Sequence, residues 1–297
     1  MPAEAAARPV GFTGTDLLLL VMVVVWGVNY IVIKAVLREV EPLAFNAVRF
    51  SVAAICLAAI AWLRGAPRPA AADIRRLAGL GLLGNTIYQF SFIQGLAHTR
   101  VGNAALIMAA VPVQTAVISH LRGAERMRPR DALGLLISFA GIATVVLGSG
   151  ADVSFGGSTA GDLLILAATI CWSFYIVGVK PLADRYGAVT VTAWTMGLGA
   201  IPLVLLSLPA ALAQPWRAVS AHAWLGLVFS AFGALVVAYV IWSRGVQRLG
   251  ASRTALYSNL TPFVVALSAW VWLGEPPTAW QGIGAVGIFT GIWLTRT

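Results

Sequence analysis

The chain has 297 residues, of which 59% are hydrophobic and only 10% charged, with a net charge of +9. A soluble globular protein carries about 25% charged residues, and a very large soluble core is excluded at this length by surface-to-volume scaling. The chain is therefore read as an integral membrane protein, and its basic excess, spread over short gaps between apolar runs, as topological rather than nucleic-acid-binding.

A membrane-crossing helix needs roughly 20 mostly apolar residues at about 1.5 Å each. Ten such runs follow one another, at about 16–36, 42–63, 75–96, 101–121, 131–149, 161–180, 188–209, 222–244, 251–273 and 278–295. The first, DLLLLVMVVVWGVNYIVIK from Asp16 to Lys34, follows a single Arg and could pass for a signal peptide. It returns as DLLILAATICWSFYIVGVK from Asp162 to Lys180, so it is read as a span. In it Trp26, Asn29 and Tyr30 share one helical face. Trp26 lies near mid-membrane, which argues against an interfacial aromatic belt and for the wall of a central cavity. Asp16 and Asp162 stand at helix starts, where a carboxylate meets free N–H groups.

Lys34 ends the first span and Lys180 its later copy. Long side chains at helix ends reach toward water, and that reading is favoured over a pair of gate cations. Arg49 lies about two turns into span two. It is read as structural, with binding of a substrate carboxylate as the alternative. After the Pro-containing loop RGAPRPAAAD, span three places Asn85, Gln89 and Phe92 at i, i+4 and i+7, with Tyr88 adjoining. A polar stripe in lipid needs a partner or a watery cavity. Helix–helix bonding is its competing explanation. Span four carries Met108, Pro112 and Gln114, and span nine carries Tyr257, Ser258, Asn259, Thr261 and Pro262. Each proline frees backbone carbonyls and bends its helix, giving either a gate hinge or a static kink. Glu125 and Glu275 follow these spans and are read as caps. Spans five and ten hold Gly134, Gly141, Gly148, Gly284, Gly287 and Gly291. These serve either a homodimer seam or tight packing within one chain.

The two halves repeat. Asp16, Trp26 and Lys34 recur at Asp162, Trp172 and Lys180, an offset of 146. Gly95, Pro112, Glu125 and Gly141 recur at Gly245, Pro262, Glu275 and Gly291, an offset of 150. Tyr175 then stands for Asn29, Tyr239 for Gln89 and Trp242 for Phe92. Five spans is an odd number, so the second copy is upside down relative to the first. Two inverted five-helix repeats are a transporter architecture with its site at the repeat interface. The expected division is a tail at 1–15, a first repeat at 16–149, a linker at 150–160 and a second repeat at 161–295. With the N-terminus inside, 15 Lys and Arg face the cytoplasm and four face outward (Lys34, Arg38, Arg100 and Arg217), so both termini are expected to be cytoplasmic.

The stretches Trp26–Tyr30 (WGVNY) and Ala47–Phe50 (AVRF), with the paired blocks GAERMRP and LGEPP before Gly-rich helices, resemble the drug/metabolite transporter superfamily, and its EamA-type ten-span members in particular. The resemblance runs from about Asp16 to Trp293. It implies export or exchange of small metabolites through a cavity built mainly from spans 1, 3, 4, 6, 8 and 9.

The expectation is an all-α integral membrane protein of the bacterial inner membrane, with a small-molecule substrate, the lipid bilayer as its setting and no nucleic-acid partner. The expected cavity residues are Trp26, Asn29, Tyr30, Asn85, Tyr88, Gln89, Phe92, Met108, Trp172, Tyr175, Tyr239, Trp242, Tyr257 and Asn259. Aromatic and amide lining without a central acid suits an amino acid or another neutral or zwitterionic solute. Organic-cation efflux and lipid flipping are the alternatives. No acidic residue lies mid-span, so exchange without a proton relay fits as well as proton antiport. No protease, hydrolase or nucleotide-binding motif appears, and no cofactor or metal site is expected. Cys56 and Cys171 lie in apolar runs and imply no disulfide.

Overall fold

The computed structural model describes residues 12–98, 104, 107–108, 111–123, 128–148, 159–273 and 279–294. Among these residues all regular structure is helical. Span one is Gly14–Val36 and span two Pro42–Leu63. Span three joins Ala71–Gly81, a π-helical stretch Leu82–Ile87, and Tyr88–His98. Span four is described over Val111–Leu121, and span five is Pro129–Gly148. Spans six and seven are Thr159–Tyr186 and Ala188–Ala213. Span eight joins Ala221–Val228, a π-helical stretch Phe229–Val237, and Ala238–Leu249. Span nine joins Ala251–Tyr257, a 3₁₀ turn Ser258–Leu260, and Thr261–Leu273, and span ten is Ala279–Leu294.

Among the described residues, five helices, Gly14–Val36, Pro42–Leu63, Leu163–Tyr186, Ala188–Ala213 and Ala221–Leu249, are long and apolar enough by length and composition to cross a membrane. Their outer faces carry exposed apolar side chains such as Ile55, Leu205 and Leu225, as lipid contact requires. Several helices overrun the apolar windows expected for them. Span six continues through Asp184 and Arg185 to Tyr186, because helical hydrogen bonding does not stop where the hydrocarbon does. Glu125 and Glu275 lie outside the described residues, as do most of the linker and tail.

The helix ends follow local chemistry. Asp16 accepts from the Thr13 N–H (2.6 Å) and hydroxyl (2.7 Å) at the start of span one. Glu41 accepts from the Ala44 N–H at the start of span two, with Pro42 in the first turn. Gly187 (φ 83°) and Gly250 (φ 89°) are the single residues joining spans six to seven and eight to nine. Such one-residue reversals need a left-handed backbone that only glycine adopts at low cost.

Two cross-ties link the halves. Asp73, at the start of span three, accepts from Arg185 Nη1 (2.8 Å) and the Tyr186 hydroxyl (2.7 Å) at the end of span six. Glu39, just after span one, accepts from the Ser220 N–H (2.7 Å) and hydroxyl (2.8 Å) at the start of span eight. Glu39 and Arg185 are 146 residues apart, and Asp73 and Ser220 are 147 apart. The same corner of the repeat is thus tied once at each end of the bundle, with different chemistry.

Spans five and ten pack against each other within the chain. A Cβ on Gly287 would stand 3.1 Å from Gly141 Cα, and one on Gly291 would overlap Ser138 Oγ and the Gly134 carbonyl. Of the two uses expected for these glycines, the structure displays packing inside one chain. Gly291→Val is expected to destabilise the protein by about 1–3 kcal/mol through overpacking, read as a lower thermal midpoint in detergent. Glu39 gives a second expectation. The Ser220 N–H, then its hydroxyl, holds the carboxyl below its ordinary value of 4.5. A lowered folded value means the tie is present above pH 4.5 and lost as pH falls through the lowered value. Acid sensitivity of the thermal midpoint in that window should shrink in Glu39→Gln.

Candidate functional site

A cavity opens between the halves, with about 880 Å³ of empty space counting its mouth. Its wall draws on spans one (Trp26, Asn29, Tyr30), two (Arg49), three (Tyr88, Gln89, Phe92), four (Met108, Val111), six (Trp172), eight (Ala234, Leu235, Tyr239) and nine (Ser258, Thr261, Pro262, Val265). In spans one and three the lining residues lie beyond the helix midpoint, toward Val36 and His98. The described lining thus lies at the middle of the bundle, displaced toward the end nearer Pro42. The end nearer Asp16 is packed shut. There the Tyr257 hydroxyl donates to Asp16 Oδ1 at 2.5 Å, and Asp16, Leu19, Val246, Thr254 and Ala255 are buried.

Aromatic rings form the floor. Trp26 and Trp172, equivalent residues of the two repeats, meet edge to face with centroids 6.2 Å apart. Trp172 stacks on Tyr88 at 4.8 Å on one side and on Tyr175 at 4.9 Å on the other. Tyr239 lies 6.1 Å from Trp26 and 5.5 Å from Trp172. Tyr30 meets Phe92 edge to face at 5.6 Å. Such pairs contribute about 0.5–1.5 kcal/mol each beyond area burial.

The two π-helical stretches shape this wall. An offset of 150 carries Leu82–Ile87 onto residues 232–237, inside Phe229–Val237. A π turn inserts an extra residue and alters which groups face inward. It directly precedes Tyr88 and Gln89 in one half and Tyr239 in the other. It also releases a carbonyl for use by another helix, and Trp26 Nε1 donates to the Ala234 carbonyl at 3.1 Å.

Arg49 is the one charged residue in the described wall, and only 2% of it is exposed. Nε–H donates to Asn46 Oδ1 (2.9 Å), Nη1–H to Ser230 Oγ (3.1 Å) and Nη2–H to Gln89 Oε1 (2.5 Å). Gln89 Nε2 donates onward to the Tyr239 hydroxyl (3.2 Å), and Asn46 Nδ2 donates to the Gln89 carbonyl (3.2 Å). The guanidinium carbon stands 4.8 Å from the Phe45 ring centroid and 5.5 Å from that of Phe50. Span two therefore contributes to the cavity, against the expectation that it stands outside. A face-by-face reading of span two misses this, because the side chain is long and two of its three acceptors lie on spans three and eight.

The wall includes Trp26, Asn29, Tyr30, Tyr88, Gln89, Phe92, Met108, Trp172 and Tyr239 of the expected cavity set, together with Pro262, expected as a hinge. Others stand elsewhere. Asn85 sits inside the π turn, which rotates it off the face of Gln89 and packs it beside Gly199 of span seven. Tyr175 lies behind Trp172, its hydroxyl 3.1 Å from that of Thr195. Trp242 is fully buried behind Trp26, 5.3 Å away. Tyr257 turns to Asp16 at the closed end. Asn259 is buried in the 3₁₀ turn of span nine and is not part of the wall. Pro112 is buried outside the lining, and Gln114 bonds Ser173 and Thr169 of span six. Neither terminal lysine reaches the wall as a gate cation. Lys34 Nζ donates to the Leu96 carbonyl (2.7 Å), and Lys180 pairs with Asp184 one turn on (2.5 Å). No group of three or more His, Cys, Asp or Glu stands together among the described residues.

Gln89 is an acceptor for a guanidinium that is almost wholly buried. Gln89→Leu is expected to destabilise the protein by about 1–3 kcal/mol, with a lower thermal midpoint. Gln89→Glu, which supplies a charged acceptor, is expected to hold or raise it.

The EamA-like transporter family model matches this chain twice, over residues 13–147 and 159–297. A probable terminal-alkyne amino-acid exporter of Streptantibioticus cattleyicolor is 31% identical over 93% of this chain and 91% of its own length. A probable amino-acid metabolite efflux pump of Escherichia coli is 28% identical over 93% of each chain. An uncharacterised transporter of Archaeoglobus fulgidus is 29% identical over 95% of this chain and 96% of its own. One solved crystal structure shares the fold, with a TM-score of 0.77 at 20% identity, over 96% of this chain and 98% of that one. A ten-segment helical bundle, a cavity walled by both halves and a family match to each half lead to one conclusion: the chain belongs to the EamA-like transporter family of multi-pass membrane proteins that move small molecules.

Proposed function

We propose that the protein exports or exchanges an amino acid or a similar small zwitterionic or neutral solute. The solute binds in the cavity between the inverted halves and crosses by alternating access. The observation that carries this reading is the wall itself. Trp26 and Trp172 meet at its centre, with tyrosines from both halves and two amides of the first half, Asn29 and Gln89, around them. Aromatic faces hold an apolar side chain and attract an ammonium group. Asn29 adds an amide oxygen with no hydrogen-bond partner among the described residues, suited to a donor on the solute. Two relatives whose names specify amino-acid export support the substrate class.

The closed packing around Asp16 and Tyr257 and the cavity toward Pro42 correspond to one of the two states that alternating access needs. By the distribution of Lys and Arg, the Asp16 end faces the cytoplasm of a bacterial inner membrane. In that orientation the cavity of this state faces outward. A cation in the wall disfavours the organic-cation alternative through like-charge repulsion.

The test is counterflow in proteoliposomes. Vesicles loaded with unlabelled amino acids should take up labelled leucine or phenylalanine at equal pH on both sides. Trp26→Ala and Trp172→Ala should each reduce the initial rate at least tenfold while the protein stays folded. No exchange of any amino acid by the native protein would remove this substrate class.

A further inference from the structure

We infer that Arg49 is the anchor for a carboxylate on the transported solute. The inference rests on the transport reading above and adds a chemical requirement: the solute bears an acid group. A guanidinium has five N–H donors. Three are engaged, by Asn46, Ser230 and Gln89, each through a neutral oxygen. Two have no acceptor among the described residues. No carboxylate of the described residues lies within ion-pair distance of Arg49, in contrast to Lys180 with Asp184 and Arg185 with Asp73.

The setting makes the missing charge matter. Arg49 is 2% exposed, in a helix that crosses the membrane. A buried cation without a counter-ion is expensive, and neutral acceptors repay only part of its desolvation. Such residues in membrane spans mark substrate pathways far more often than scaffolding. A strut between halves would need only hydrogen bonding, which a second amide could supply without a charge. The position equivalent to Arg49 in span seven, at the offset of 146, is Thr195, so the repeat folds with a neutral residue there. The fork is also held in place. Asn46, Ser230 and Gln89 fix the side chain from three directions, and Phe45 and Phe50 lie beside it. A preorganised guanidinium loses little freedom on taking up a carboxylate, which it meets through paired, charge-assisted hydrogen bonds.

The test separates this inference from the transport reading. Purified native protein is heated with phenylacetate or 4-methylpentanoate, and with the matching amides, which keep the shape and remove the charge. The acids should raise the thermal midpoint and the amides should not. In Arg49→Gln, half-saturation for the acids should move up at least tenfold, about 1.4 kcal/mol. Because Arg49→Gln risks misfolding, Gln89→Glu serves as the second variant. It places a carboxylate on the guanidinium, so it should remain folded and lose the acid response. Equal stabilisation by acid and amide, or by neither, overturns the inference, as does an unchanged acid response in Gln89→Glu. In counterflow, native vesicles should exchange phenylalanine and not phenylalaninamide. Exchange of both at similar rates overturns the carboxylate anchor and leaves transport standing. Loss of all exchange with a retained acid response removes the amino-acid reading and leaves the anchor.

Discussion

A guanidinium buried inside a membrane-spanning bundle meets little water, so protein supplies most of its acceptors. Around Arg49 those acceptors come from spans two, three and eight, and so from both halves of the chain. That requirement accounts for much of the cavity's geometry. Gln89 faces inward because the π turn before it ends at Ile87, and Ser230 lies within the matching wide stretch of span eight. Tyr239, in turn, accepts a hydrogen bond from Gln89 Nε2. The upper wall is one connected polar network resting on an aromatic floor, and displacing any member leaves a buried polar group unpaired.

The two halves share a backbone plan and differ in chemistry. Trp26 and Trp172 occupy equivalent places and touch. Arg49 and Thr195 are also equivalent by the 146-residue offset, yet one is a cation in the wall and the other a hydroxyl bonded to Tyr175. The corner ties diverge similarly, with Glu39 on Ser220 at one end and Asp73 on Arg185 and Tyr186 at the other. Under the proposed alternating access, the pseudo-two-fold relation between the halves permits two states. Asymmetry of side chains lets those states differ in energy, and the closed Asp16–Tyr257 end belongs to the one described.

Span number, span order and inversion were legible in the sequence, because the need for about twenty apolar residues per crossing is strict. The inward face of span one was legible too, since that helix is regular and its 3.6-residue period holds. Span three was legible only beyond its π turn. Ordinary helical spacing put Asn85 with Gln89, and one extra residue per turn separated them. Tyr257 was misplaced for a related reason. It ends the first helical piece of span nine, just before the 3₁₀ turn that shifts the register. Each π-helical stretch carries one glycine, Gly84 and Gly233. Arg49 was visible as an oddity, but its reach into the cavity depends on acceptors far away in sequence.

The measurement closest to the central claim asks whether the closed end must open. Cys56 and Cys171 are replaced, cysteines are introduced at positions 16 and 257, and a short reducible bis-methanethiosulfonate bridge is installed. Exchange of labelled leucine in proteoliposomes is then measured before and after reduction on the same sample. A cavity that alternates between the two sides predicts little or no exchange while the bridge holds and recovery once it is cut. Equal exchange in the bridged and reduced states would mean that the solute crosses without parting span one from span nine, and would contradict the account.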